Sequence, residues 1–183
     1  ARVPDVASEG FDLFVPRAEM DLLWSALRSA GAVPGDIRLW RALRVAAGWP
    51  EWGIDMDEHT LPQEANLDAL YGISYDKGCY IGQETVARIH FRGHVNRTLR
   101  RIALEGGAEP PAGSELVDDL GKVVGDVRST AVWTTGGAQT VLGIGMVRRE
   151  IEDGTLLTAR WSGGATRVHV LGPAAGNAKG AID

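Results

Sequence analysis

Cysteine is nearly missing from this sequence: Cys79 is the single thiol in 183 residues, so no disulfide can close within the chain. Long apolar runs are missing too. No stretch approaches the roughly 20 consecutive apolar residues of a membrane helix, and no membrane partner is expected. The start, Ala1-Arg2-Val3-Pro4, has neither an initiator Met nor a cationic-plus-apolar leader. A processed or truncated piece working in a reducing cytoplasm is the expectation. Neither sign of charge dominates. Nineteen Lys+Arg against 24 Asp+Glu give a formal charge of −5, which speaks against a general nucleic-acid coat protein but permits a local basic patch. With 44% apolar and 23% charged residues, the composition is that of an ordinary globular chain of one or two domains, not of collagen, a coiled coil or bulk disorder.

Periodicity divides the chain in two. Met20, Leu23, Trp24 and Leu27 fall at i, i+3, i+4, i+7 and predict an amphipathic helix stopped at Gly31. Asp36 is a good N-cap for a second helix, with Ile37, Trp40, Leu43 and Ala47 as its apolar stripe and Gly48 as its stop before Pro50. Residues 49–72, broken by Pro50, Gly53 and Pro62 and carrying the acidic run Asp55-Met56-Asp57-Glu58, read as a wandering surface segment. A short helix is expected over 83–89. Beyond Arg97, runs rich in Val, Ile, Leu and Thr at 97–104, 115–118, 122–129, 140–148, 155–161 and 166–171 alternate with Gly-bearing turns. That is the pattern of a small antiparallel barrel or sandwich. In strand 140–148, Leu142, Ile144 and Met146 alternate with Gly143 and Gly145, so one face fills a core and the other allows close approach. The fold class is α+β, with a boundary at 97/98 and a loose Gly- and Ala-rich tail from Pro173.

The chemistry concentrates in Lys77-Gly78-Cys79-Tyr80-Ile81-Gly82-Gln83-Glu84. Here the thiol lies between two glycines, two residues after a cation and just ahead of an expected helix start. A neighbouring ammonium and unpaired helix N–H groups favour thiolate over thiol, which is the setting of reactive cysteines. The glycines let backbone approach a ligand, and Tyr80 offers an aromatic face. A lone cysteine is more often a small buried hydrophobe, and the residues alone leave both readings open.

This octapeptide resembles the signature of the YgfZ family, folate-binding proteins related to the aminomethyltransferase (T protein) of the glycine cleavage system. The likeness continues in Leu43-Arg44-Val45-Ala46-Ala47-Gly48 ("LR-x-x-AG"), in Leu61-Pro62-Gln63-Glu64 ("P-x-E"), through 66–93, and in Gly125-Asp126-Val127-Arg128-Ser129 ("G-x-V-x-S"). Members are longer, so the chain looks like the back part of one. The resemblance implies a helix-containing part of a folate-binding, T-protein-like region (1–97) followed by a C-terminal antiparallel β-barrel (98–183). It implies tetrahydrofolate or a derivative as cofactor, and a role in assembling or repairing iron–sulfur enzymes, including tRNA-modifying ones, with the motif cysteine as key residue. The expected partners are folate, iron–sulfur client or assembly proteins, and RNA in transient contact. The T-protein branch instead transfers a one-carbon unit to tetrahydrofolate and lacks Lys-Gly-Cys. It usually carries a pterin-holding Glu where this sequence has Ala46, which speaks against that activity.

The site expected on this basis has Cys79 and Lys77 as the reactive pair, and Tyr80, Gln83, Glu84, Arg88, Arg97 and Trp49 around the folate. Between 88 and 101 stand Arg88, Arg92, Arg97, Arg100 and Arg101 with His90 and His94, and no carboxylate. A guanidinium fork suits a folate's glutamate tail or an RNA phosphate, so a noncatalytic RNA-binding module is a rival reading. The bland alternative is a solvated face balanced by the 55–58 acidic run. Glu84 at a helix start also complements the dipole. His90 and His94 are spaced like a metal pair, but Gly93 interrupts the helix and no third ligand has suitable spacing, so no zinc site is expected. One cysteine cannot ligate an iron–sulfur cluster alone. Trp24, Trp40, Trp133 and Trp161 are expected in cores or interfaces, whereas Trp49 and Trp52, flanking Pro50, are placed to line a cavity or form a hydrophobic clamp.

Overall fold

A computed structural model describes residues 10–70 and 72–173; the tail expected from 173 onward falls almost wholly outside the described residues. A 3-10 turn at Arg17–Glu19 leads into α1 (Met20–Ser29), followed by α2 (Ile37–Ala47) and α3 (Gln83–Arg92). Asp36 caps α2 as expected, its carboxylate accepting from the Leu39 N–H at 2.9 Å. That bond, aided by Arg38, holds the Asp36 carboxyl below its usual range. The helix ends on Gly48 at φ 71°, and the Gly48 and Trp49 N–H groups return to the Val45 and Arg44 carbonyls. This is the glycine-terminated pattern that satisfies the last carbonyls of a helix.

Six strands follow: β1 (Arg97–Leu104), β2 (Glu115–Val117), β3 (Val123–Thr135), β4 (Ala138–Arg148), β5 (Leu156–Trp161) and β6 (Gly164–Pro173). They close into an antiparallel barrel in the order β1-β4-β3-β2-β5-β6. β3 and β4 run longer than their apolar patterns suggest. Thr134 pairs with Gln139 and Thr135 with Ala138 across Gly136-Gly137, both at positive φ, the backbone a two-residue hairpin turn demands.

Two cores meet at the barrel wall. Ile102, Leu104, Leu116, Val127, Val141, Val147, Leu157 and Val168 fill its inside. Outside, Leu99, Ile144 and Met146 pack on Ala42 and Val45 of α2 and on Ala65. β4 serves both cores by alternation: Ile144 and Met146 face outward to α2, while a Cβ on Gly143 would lie 2.9 Å from Ile102. The glycines thus make room for the filling of a narrow barrel.

The helices turn out differently from their apolar stripes. α2 buries Ala42, Arg44 and Val45, leaving Ile37 and Trp40 61% and 42% exposed, and in α1 no residue is buried, with Trp24 52% exposed. Trp24 and Trp40 are therefore not core residues among the described contacts. Trp133 does pack against the outer core.

The segment after α2 is irregular as expected, but it is not a surface strip. Asp55 is completely buried. Its carboxylate pairs with Arg44, accepts the Ser129 hydroxyl at 2.5 Å and accepts the Glu51 N–H at 2.9 Å. Arg44, also buried, donates to the Trp49 carbonyl at 2.8 Å and to Ser129 Oγ at 3.2 Å. The 55–58 run therefore does not balance the distant arginines; its first member clamps the loop and α2 onto β3. Without Asp55, buried Arg44 keeps only the partly exposed Glu51 carboxylate, 3.2 Å from its Nε, and its remaining donors lose their charged partner. Asp55→Ala should cost about 3–5 kcal/mol, read as a lower urea midpoint at unchanged slope, and the joint replacement Arg44→Met with Asp55→Leu should recover much of it.

Candidate functional site

Residues 61–66 tie α3 and the barrel together. Gln63 donates through Nε2 to the Val86 carbonyl of α3 at 2.9 Å. Glu64 accepts from the Leu61 N–H and from Arg97 Nε, both at 3.0 Å, while its carbonyl accepts the Leu99 N–H of β1 at 2.7 Å. Asn66, at φ 55°, donates to the Leu99 carbonyl. The Pro62-Gln63-Glu64 segment is thus a bracket rather than a free loop.

The segment carrying the thiol is anchored to the opposite end of α3. Tyr75 stacks on His90 with ring centroids 3.8 Å apart, Phe91 meets it edge-on at 6.2 Å, and the Tyr75 hydroxyl bonds Asp68. From there the chain runs to Gly82, which at φ 86° takes the left-handed turn into α3. Between these anchors Cys79 is a free, exposed thiol. It is not the buried hydrophobe of the bland reading. The Lys77 ammonium sits 4.8 Å from the centre of the Tyr80 ring, a cation–π contact, so its described contact is that ring. Tyr80 is half-buried, and among the described residues neither its buried hydroxyl nor Gln63 Oε1 has a hydrogen-bond partner.

The other expected residues are dispersed. Glu84 is exposed in the first turn of α3, where its charge complements the helix N-terminus, and Gln83 beside it is half-buried, its N–H bonding the Tyr80 carbonyl at 3.2 Å. Trp49 is half-buried and its described bonds are backbone ones, to Arg44. The arginine group divides. Arg97 pairs with Glu64, Arg100 with Asp153 and the Ile151 and Leu171 carbonyls, and Arg101 reaches the Ala46 carbonyl at 3.5 Å. Their partners lie far away in sequence, which is why a window without carboxylates looked uncompensated. Arg88 and Arg92 remain exposed on α3 with no carboxylate in ion-pair range among the described residues. Sequence reading missed Tyr75 and His90 as the anchor, and no local pattern announces a pair 15 positions apart.

The anchor titrates. Burial first, then the Asp68 carboxylate, push the Tyr75 hydroxyl up to about 12 from 10.0. The folded state therefore favours the neutral phenol, so this contribution to stability is whole below pH 10 and fades as pH rises through 12. Absorbance titration of tyrosinate should show one group ionising near pH 12, absent in Tyr75→Phe; a normal midpoint would contradict the anchored geometry.

No protein-family profile matches the chain. It is 35% identical over 136 residues to the tRNA-modifying protein YgfZ of Cronobacter sakazakii, covering 72% of this chain and 40% of that protein. The Escherichia coli K12 protein of the same name is 36% identical over 115 residues, 63% of this chain and 35% of the relative. The chain therefore spans 40% or less of the length of these curated relatives. Among solved structures, the glycine cleavage system aminomethyltransferase T from Bartonella henselae superposes with a TM-score of 0.67 over 84% of this chain and 42% of that one. At 19% identity this is a likeness of fold. The helices and closed barrel thus have a T-protein-like fold with its C-terminal barrel, and in sequence the chain is YgfZ-like.

Proposed function

We propose that the chain serves a YgfZ-like role in tRNA modification, as a cytoplasmic folate-binding factor that supports assembly or repair of iron–sulfur enzymes through a reactive Cys79. The observation that carries this reading is the free, exposed thiol in the motif shared with the family, held between an aromatic anchor and a glycine turn. In this reading residues 1–97 belong to the folate-binding region and 98–183 to the barrel. Lys77 tunes the thiol through its charge.

Tetrahydrofolate fits the polar atoms left over here. The unpaired Tyr80 hydroxyl and Gln63 Oε1 both lie near Tyr75 and would accept or donate along a pterin edge, since buried polar atoms without partners are costly. Gln83 would extend that edge, Glu84 would keep its charge in the first turn of α3, and Arg88, exposed on the same helix, would hold the glutamate tail. When bound, the cofactor would supply a one-carbon carrier; the chain's own residues bind and orient it. One-carbon transfer of the T-protein kind rests on fold likeness alone, and Ala46 withholds the carboxylate that branch uses.

In a strain that depends on this protein, Cys79→Ala should lower both iron–sulfur enzyme activity and tRNA modification to the level of the deletion. Wild-type levels would sink the thiol's role. A second reading, an RNA-binding module, is favoured by Arg88 and Arg92, exposed on α3 with no carboxylate in ion-pair range among the described residues. It requires log K for single-stranded RNA to fall by about 0.7 per phosphate contact per log unit of salt, and Arg88→Gln with Arg92→Gln to reduce that slope.

A further inference from the structure

A hollow of about 780 Å³ lies along the β1–β4–β3 side of the barrel, lined by neither the Cys79 thiol nor its Tyr75 and His90 anchors. Its floor includes Gly125 of β3 and the buried Met146 of β4. Gly125 is obligatory there, because a Cβ would fall 2.2 Å from the Met146 carbonyl oxygen. This size suits a ligand of nucleotide dimensions.

The charges around the floor are arranged unevenly. Arg97 and Arg148 face each other directly across the β1–β4 ladder, where like charges are destabilising, and His94 and Arg149 join them on the rim. Glu64 neutralises Arg97. Arg148 is only 3.6 Å from Glu150, with both side chains more than half exposed, a pairing worth little in solvent. Arg149 has no carboxylate in ion-pair range among the described residues, although Glu152 also lines the hollow. Deeper in stands Asp126, its side chain only 32% exposed. Burial pushes its carboxyl up against the pull of Arg128. Arg128 engages both oxygens, at 2.5 and 3.3 Å, yet a carboxylate has about four lone-pair sites and keeps acceptor capacity for a ligand.

A pure polyanion does not suit this hollow, because Asp126 would repel it. A ligand negative at one end and hydrogen-bond-donating at the other does. Asp126 lies opposite Met146, and Arg148 is two residues further along β4, about 7 Å of strand. We propose that this hollow receives a single nucleotide of RNA, its phosphate on Arg148 and Arg149 and the donor edge of its base on Asp126. Guanine is the preferred base, since its ring N–H and amino group present two adjacent donors to the two carboxylate oxygens. The choice of RNA rests on the tRNA-modifying reading above; the charge arrangement does not.

Calorimetric titration of the 183-residue chain at low salt with GMP, UMP and inorganic phosphate tests this. GMP should bind about tenfold more tightly than UMP, as expected for one bidentate base contact, with inorganic phosphate competing weakly. The exposed pair Arg148→Gln with Arg149→Gln should weaken both nucleotides about tenfold. Asp126→Asn should erase the preference for GMP while leaving phosphate competition intact. No GMP binding at millimolar concentration, or affinities indifferent to both variants, would overturn the assignment. So would tetrahydrofolate binding that depends on Asp126 and Arg148 and excludes GMP, because its pterin shares the guanine edge. Failure here with normal tRNA modification in cells would remove this site alone, whereas nucleotide binding without any cellular effect of Cys79→Ala would remove the thiol reading alone.

Discussion

The architecture depends on one buried charge. Arg44 sits in α2 almost sealed from water, and a guanidinium in that position is tolerated only if charge and hydrogen bonds are returned to it. Asp55, Ser129 and the Trp49 carbonyl do so, and each comes from a different piece of chain: the irregular loop, β3 and the end of α2. Satisfying one side chain therefore brings helix, loop and barrel to a common point. The outer core of Leu99, Ile144 and Met146 against Ala42 and Val45 then supplies the bulk of the contact. Polar bonds decide the register, and apolar burial holds it.

The Cys79 segment inherits its position from this frame at one remove. The loop that begins at Asp55 continues into the Gln63-Glu64-Asn66 bracket, which holds α3 by Val86 and β1 by Leu99. α3 itself buries only Val86, so without the bracket and the Tyr75–His90 stack it would be a short, marginal helix. A thiol presented at the surface just ahead of such an element is accessible to a large partner.

Much of this was legible in the residues. Asp36 and Gly48 announce the ends of α2, and the Gly-bearing turns between β-branched runs announce the barrel strands, because capping and turn chemistry act within a few residues. The hairpin at Gly136-Gly137 was only half legible. Polar Thr134 and Thr135 extend the ladder beyond the apolar pattern, since backbone bonds there do not require a buried face. The apolar stripe of α2 misled for a related reason: Val45 and Ala42 make a smaller face than Ile37 and Trp40, but they are the one that packs on the outer face of β1, β3 and β4.

By itself, the sequence determined the elements, the presence of one thiol in a glycine-flanked motif and its family likeness, all of which are properties of short windows. Tertiary structure alone decided that Asp55 is a buried clamp instead of a surface charge, that Arg97 and Arg100 pair with carboxylates distant in sequence while Arg101 reaches a carbonyl, and that Arg148 and Arg149 converge with Asp126 on one hollow. The physical reason is that solvation and charge pairing are set by which groups come within a few ångströms, and barrel closure brings together residues separated by dozens of positions.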